Sequence, residues 1–551
     1  MTDSVHKDPQ SAGLKNEWRY LAAILLTAAI AYGLGVSPHW RISQDSARYL
    51  TMAHQVADGR PYEFSGISQR AIPPGLPYYH ALVFKLSGFT RSLENYTEHF
   101  TAVSAANVLL GFLGVVSVYF FVRRTAGTRY ALIITPLMAV SSAYYDVTVG
   151  AWSDPPFCAA TWTALWLVAR LKQRPRLPEY CFLGAMLAIA ASLRVIGVAL
   201  VAALLVYFAI QFITGAGGRR WAATGIMAVL PAAVFSAWLV VTDLSATGTA
   251  GFNYSDIVLA GRGVSLFFWK LVAWLIDLPG ILFQACMGLK SALGLWLPFS
   301  AVLIAGVVAA LKRGLWLHIL YAAIYLFLVG ISAGLDPRKS LPVTPILYIC
   351  LLYGSESALG WLAQWRAGFH ARRAEIVKRI VNVAAILVIT LNSAHVVKTI
   401  ASGFAGDFYR NYSHGNWTDY LSLARALRDD PPDGRVMVPA WGVVYVLSGV
   451  ETIVTPYLRP RELPREPSVA ELLDQAAGFR TVPPGLYNEI LKRYVEANHV
   501  TAVVTDPIRD PRGTTPLEFL ANGPLSWRER ARYGRLTLYV LDQSAAAPPN
   551  D

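Results

Sequence analysis

Residues 180–213 read YCFLGAMLAIAASLRVIGVALVAALLVYFAIQFI, an apolar run whose one charge is Arg194. As a single helix it would be about 51 Å long at 1.5 Å per residue. The hydrocarbon core of a bilayer is only about 30 Å thick. Basic clusters flank the run, Lys172/Arg174/Arg176 before it and Arg219/Arg220 after it. If both clusters lie on one side of a membrane, the chain must cross an even number of times between them. A break at Arg194–Gly197 satisfies both constraints, and it carries Arg194 to the face opposite the clusters.

The rest of the chain reads the same way. It has 551 residues, 54% hydrophobic and 15% charged, against roughly 25% charge in soluble domains. Apolar runs of spanning length recur at 20–37, 101–122, 131–149, 156–170, 180–193, 197–213, 222–242, 294–311, 315–333, 341–362 and 380–398. The region 264–293 reads either as an interfacial helix or as a further pair of spans. The expected fold is therefore an α-helical polytopic membrane protein with about 11–13 spans. The first 18 residues are polar and carry no small-residue cleavage site, so the first run reads as an uncleaved span. A net charge of +13 would suggest nucleic acid in a soluble protein; here the Lys and Arg fall on every second connection and set orientation. That rule makes residues 1–19 a cytoplasmic tail. Cys158, Cys181, Cys286 and Cys350 lie in apolar segments without metal-ligand spacing and read as small core residues.

Everything weakly basic then faces outward: the 38–100 loop, the Tyr144–Asp154 turn, the Asp336–Lys339 turn and the region from about 400. The membrane unit is expected over 20–399. The segment 400–551 gains charge and proline, with β-rich runs at 435–439, 500–505 and 536–541 and helical patterns at 417–429, 469–477 and 485–498. Such alternation predicts a small extracytoplasmic α/β domain with a core of its own.

Polar residues that could carry chemistry gather on the outward connections. Residues 46–58 place Ala47, Leu50, Ala53, Val56 and Ala57 at helical spacing, as in an amphipathic helix on a membrane surface. Asp45 stands at its N-cap position, so capping and acid–base chemistry are both open to it. Asp154, followed by Pro155-Pro156, likewise suits a helix start. Arg194 lies inside an apolar run, where arginine is costly and usually functional. Arg338 and Lys339 precede Ser340-Leu341-Pro342, and Arg70 precedes Pro73-Pro74-Gly75-Leu76-Pro77-Tyr78. The histidines His54, His80 and His99 are scattered and read as packing or surface residues.

Taken in order, these motifs resemble the polyprenyl-phosphate-sugar-dependent glycosyltransferases of the GT-C superfamily, such as the lipid A aminoarabinose and protein O-mannosyl transferases. Asp45-Ser46-Ala47-Arg48-Tyr49 is similar to the family's Asp-Glu-x-Arg-Tyr, with Ser46 in place of the second acid. The Pro73–Tyr78 segment, Ser153-Asp154-Pro155, Leu193-Arg194…Gly197 and Arg338…Pro342 are similar to further family motifs. The Lys that precedes the prolines in the aminoarabinose branch is missing, and the Trp-Trp-Asp motif of the oligosaccharyltransferase branch is absent from the sequence. The resemblance implies catalytic roles for Asp45 and Asp154, and donor or acceptor contacts for Arg48, Tyr49, Arg70, Tyr78, Arg194, Arg338 and Lys339. It implies a polyprenyl-phosphate sugar as donor, a glycan, lipid or protein as acceptor, and no nucleic acid. It leaves a divalent metal open. The expected setting is a bacterial inner or plasma membrane, with the reaction an inverting sugar transfer at the outer face. A flippase for a lipid-linked sugar, or a polymerase or ligase using a pyrophosphate-linked donor, is the alternative.

Overall fold

A computed structural model describes residues 17–64, 67–68, 72–171, 176–215, 218–244, 264–288, 293–333, 337–364, 370–404, 417–439, 441–454, 492, 495–496, 499–506 and 525–542. Helices dominate as far as Phe404. They are α1 (Glu17–Leu34), α2 (Gln44–Ala57), α3 (Gly75–Ser87), α4 (Leu93–Thr97), α5 (Thr101–Ala126), α6 (Thr128–Ala139), α7 (Ser142–Thr148) and α8 (Asp154–Leu171). They continue as α9 (Leu177–Leu193), α10 (Val198–Thr214), α11 (Arg219–Leu244), α12 (Val264–Met287), α13 (Leu293–Lys312), α14 (Trp316–Ala333), α15 (Thr344–Gln364) and α16 (His370–Phe404).

The chain is a polytopic helical membrane protein, and every apolar stretch expected to span is helical. The ambiguous 264–293 region supplies the single helix α12. By length and apolarity alone, four described helices could cross a bilayer, or five if α6 and α7, bent by 57°, form one broken span. Shorter apolar segments within α9, α12, α13 and α14 supply further candidates. The 180–213 run breaks where its length demanded. α9 ends at Leu193, Arg194 is extended (φ −151°, ψ 132°), a 3₁₀ turn covers Val195–Gly197, and α10 starts at Val198. A Cβ on Gly197 would lie 2.9 Å from the Ala190 carbonyl oxygen, so only glycine lets the two helices meet this closely.

The two ends of the bundle differ in what they collect. One end pairs Glu17 with Arg123, Glu179 with Arg170, and Glu356 with both Arg129 and Arg313. These are the connections rich in Lys and Arg. The other end receives the starts of α2 and α8, the α9–α10 break and the α14–α15 link. Three cysteines are buried, but Cys181 is exposed on α9 and is not a core residue.

After Phe404 come α17 (Trp417–Asp429), β3 (Arg435–Val438), α18 (Trp441–Ser448), β4 (Thr452–Val454), β5 (Val500–Thr505), β6 (Trp527–Tyr533) and β7 (Leu536–Leu541). Two-residue strands β1 (Glu63–Phe64) and β2 (Ile67–Ser68) pair earlier in the chain. The five-stranded sheet has the order β4-β3-β5-β7-β6; β3 is parallel to β4 and β5, and β7 is antiparallel to β5 and β6. Of the helices expected at 469–477 and 485–498, the first and most of the second lie outside the described residues.

Among the described residues, the core of this unit is continuous with the 38–100 connection. Val436, Val504, Trp417 and Leu427 belong to one apolar cluster with Trp40, Leu50, Phe84 and Phe89 of the 38–100 connection. α2 is consequently not laid on lipid. Its apolar face, Ala47, Leu50 and Ala53, is fully buried in that cluster. Gln55 Nε2 donates to Tyr445 Oη at 3.1 Å, and the Arg91 guanidinium sits 4.6 Å over the Tyr445 ring. Inside the sheet unit, buried Asp506 accepts from Tyr420 Oη at 2.6 Å and from Arg535 Nε at 2.9 Å, locking α17 and β7 to β5.

Candidate active site

The start of α2 is built by two serines. Ser43 is the N-cap: its Oγ accepts the Ser46 N–H at 3.1 Å, and Ser46 Oγ accepts the Ser43 N–H at 3.2 Å. This reciprocal capping box satisfies two donors that a helix start leaves open. Ser46 Oγ also accepts from Trp40 Nε1 at 3.1 Å. The position where the resembled motif has its second acid therefore holds the helix start instead. Asp45 is not the cap, as the sequence suggested. It lies in the first turn, where the positive end of the helix dipole favours a carboxylate, and its side chain remains 44% exposed.

Asp45 meets a cation from a distant part of the sequence. Arg338 Nη1 donates to Asp45 Oδ2 at 3.4 Å, a contact between residues 293 apart in sequence. The same guanidinium lies 4.1 Å over the Trp152 ring. Stacking on an indole stabilises an arginine that keeps further N–H donors.

A second acid–arginine pair sits deeper. Asp154 opens α8 and is buried, with its side chain 2% exposed. Arg194, released from helical geometry by the α9–α10 break, donates from Nη1 to Asp154 Oδ1 and, at 3.4 Å, to Ser153 Oγ. Tyr49 Oη lies 3.0 Å from the same Ser153 Oγ. Tyr49 thus ties α2 to the buried pair, one turn on from Asp45. Asp154 Oδ2 is buried without a hydrogen-bond partner among the described residues.

The remaining sequence candidates are less central. Arg48 is half-buried on α2. Lys339 is half-buried, and its carbonyl oxygen accepts from Tyr325 Oη at 2.8 Å. Tyr78 is 57% exposed on α3 and stacks on Tyr62, with 6.4 Å between ring centroids. Arg70 lies outside the described residues. Sequence reasoning gave Trp152 no role, although it forms the shelf under Arg338. It also passed over Arg41, Asp146, His395 and Thr399, which form a polar cluster at the same end of the bundle. Asp146 was visible as an acid in an apolar segment; its partners, about 100 and 250 residues away in the chain, leave no local signal. For a metal, the free Asp154 oxygen would be one ligand. No group of three His, Cys, Asp or Glu residues able to hold an ion occurs among the described residues.

The polytopic helical bundle with its small C-terminal sheet is similar in fold to solved membrane glycosyltransferases of the GT-C type. A family model described as dolichyl-phosphate-mannose-protein mannosyltransferase matches residues 72–244. The crystal structure of ArnT from Cupriavidus metallidurans bound to undecaprenyl phosphate is similar at a TM-score of 0.58 and 13% identity, over 96% of this chain and 99% of that one. The archaeal oligosaccharyltransferase AglB from Archaeoglobus fulgidus, in complex with an inhibitory peptide and a dolichol-phosphate, is similar at a TM-score of 0.56 and 11% identity. That match covers 98% of this chain and 76% of that one. No curated protein sequence matches.

Proposed function

We propose that the protein moves a sugar from a polyprenyl-phosphate donor to an acceptor hydroxyl, in one inverting step at the outer face of a membrane. The observation that carries this reading is the contact of Asp45 with Arg338, because it joins an acid able to take a proton to a cation able to take a phosphate. Asp45 accepts the proton of the acceptor hydroxyl. The acceptor oxygen bonds to the anomeric carbon as the bond from that carbon to the phosphate oxygen breaks. The electron pair of the broken bond leaves with the lipid phosphate, whose charge Arg338 holds. Arg338 cannot serve both anions fully. Donor binding draws it from Asp45 and leaves that carboxylate free to act as base. Arg48 and Lys339, on the same two segments, supplement the phosphate contacts. Asp154, held by Arg194, supports the acceptor side of the site, and Tyr49 braces the adjacent Ser153.

The segregation of basic pairs at the opposite end of the bundle supports the outer face. The test is a transfer assay on purified protein with polyprenyl-phosphate sugars. Asp45→Asn should stay folded and lose roughly 10²–10⁴ in rate, the scale of a lost general base. Undiminished transfer by that variant would remove Asp45 from the reaction.

A further inference from the structure

Asp146 lies outside the two acid–arginine pairs, yet it collects more side chains than either acid in them. Arg41 Nη1 donates to its Oδ1 at 3.2 Å and to its backbone oxygen at 3.4 Å. Thr399 Oγ1 donates to Oδ1 at 3.3 Å, and His395 Nε2 to Oδ2 at 3.1 Å. One turn earlier on α16, Asn392 Oδ1 accepts the Ser142 N–H at 3.0 Å, one of the open donors at the start of α7. α16 therefore grips α7 at both ends, and Asp146 holds Arg41 as well.

The position of Arg41 explains why this matters. Its neighbours Trp40 and Ile42 are 0% and 1% exposed, inside the cluster shared with the sheet unit. Successive side chains of an extended segment point to opposite sides. Trp40 and Ile42 thus face that apolar cluster while Arg41 faces the bundle. Ser43, which caps α2, follows directly, then Asp45. Asp146 therefore joins α7, α16 and the strap of residues 40–43.

We infer that Asp146 is a positioning residue, which fixes the strap of residues 40–43 against α7 and α16 and so sets the place of Asp45 opposite Arg338. The inference rests on the role proposed for Asp45, and it adds a dependence on α16, the helix that leads to the sheet unit. Asp146 touches neither Asp45 nor Arg338 in any described contact. Its action passes through the backbone that Arg41 anchors.

A double-variant cycle tests this. Asp146→Asn keeps the shape of the side chain and removes its charge. Transfer should fall about 10- to 100-fold with donor affinity held within about twofold, since an ångström of misplacement costs on that scale. In an Asp45→Asn background the same change should cause no further loss. Losses that multiply, or donor affinity falling in step with rate, would overturn the inference. If Asp146→Asn does not fold, Thr399→Val and His395→Phe remove one hydrogen bond each and should show a smaller loss with the same non-additivity; full additivity there overturns it equally. Should the unaltered protein transfer no sugar from any polyprenyl-phosphate donor, the functional reading is what fails. The positioning is then read without activity, from spin labels at 45 and 338 in a background lacking the four cysteines. Their distance distribution should broaden in Asp146→Asn, and an unchanged distribution would overturn the inference.

Discussion

Two acid–arginine pairs stand at the same end of the bundle, linked through Tyr49 and Ser153, and they differ in how tightly they are held. In the Asp154–Arg194 pair the acid is buried, 2% exposed, and Arg194, 15% exposed, is braced by Ser153. In the Asp45–Arg338 pair the acid is 44% exposed and the closest approach is 3.4 Å. A buried pair that loses one partner leaves a charge stranded, at a cost of about 3–5 kcal/mol. A half-exposed pair is worth about 0–1 kcal/mol and is readily exchanged. On the function proposed above, the contrast divides the labour: the tighter pair would hold the framework and the looser pair would change partners during transfer.

The sharpest way to break this comparison is to remove one partner from each pair and measure stability. Arg194→Ala should lower the unfolding free energy in detergent by about 3–5 kcal/mol, because it strands the Asp154 carboxylate. Asp45→Asn should shift it by no more than about 1 kcal/mol. If both variants are equally destabilised, the pairs are equivalent and the exchangeable one has been misassigned. A smaller effect tests the exchange itself. Arg338→Ala should leave the fold intact and weaken binding of a polyprenyl phosphate by about 10- to 100-fold, the worth of one charge-assisted hydrogen bond at about 1.5–3 kcal/mol. Isothermal titration would show it, and unaltered affinity would mean that the phosphate is held elsewhere.

The rigid pair was far easier to read from sequence than the surroundings of the loose one. The length of 180–213 and its basic flanks forced the break that frees Arg194. The 417–429 helix and the strands at 500–505 and 536–541 are observed where the β-rich and helical patterns put them. β6 was missed because Trp527–Tyr533 is an edge strand with three consecutive exposed charged residues, Arg528, Glu529 and Arg530, which erase the alternation a half-buried strand would show. Asp45 was read as a cap since its motif draws the eye past Ser43; only backbone geometry tells which side chain accepts the first N–H. The amphipathic pattern of α2 was correct, but a pattern reports an apolar face without naming what covers it. Here the cover is the sheet unit, contributed by residues some 400 positions later. The Asp146 cluster is of the same kind: polar residues far apart in sequence, each unremarkable in its own helix.

The smallest effect concerns how α2 is held, and so reaches the loose pair alone. His54 of α2 is 4% exposed, stacks on Phe84 with 4.4 Å between centroids, and places Nε2 2.6 Å from Tyr96 Oη. Burial, and then the nearby positive charge of Arg91, push its pKa from 6.5 down to about 3. His80 of α3 is fully buried; burial carries it to about 4 against a hydrogen bond to Asn107. Both imidazoles are therefore neutral in the fold and would take up a proton on unfolding below about pH 6.5. The unfolded state then binds more protons, so stability falls as pH drops from about 6.5 and the loss levels off below about pH 3. For each histidine the cost one pH unit below its unfolded pKa is about 1.4 kcal/mol. α2 and α3, packed with the sheet unit, should loosen on acidification while the buried pair at Arg194 does not. Hydrogen exchange at pH 7 and pH 5, corrected for intrinsic rates, should show protection lost over residues 44–57 and kept over 190–198. His54→Phe preserves the stacked ring without a titrating nitrogen and should remove part of that pH dependence. The same dependence in His54→Phe would leave the loosening to some other group and separate it from the mobility of Asp45.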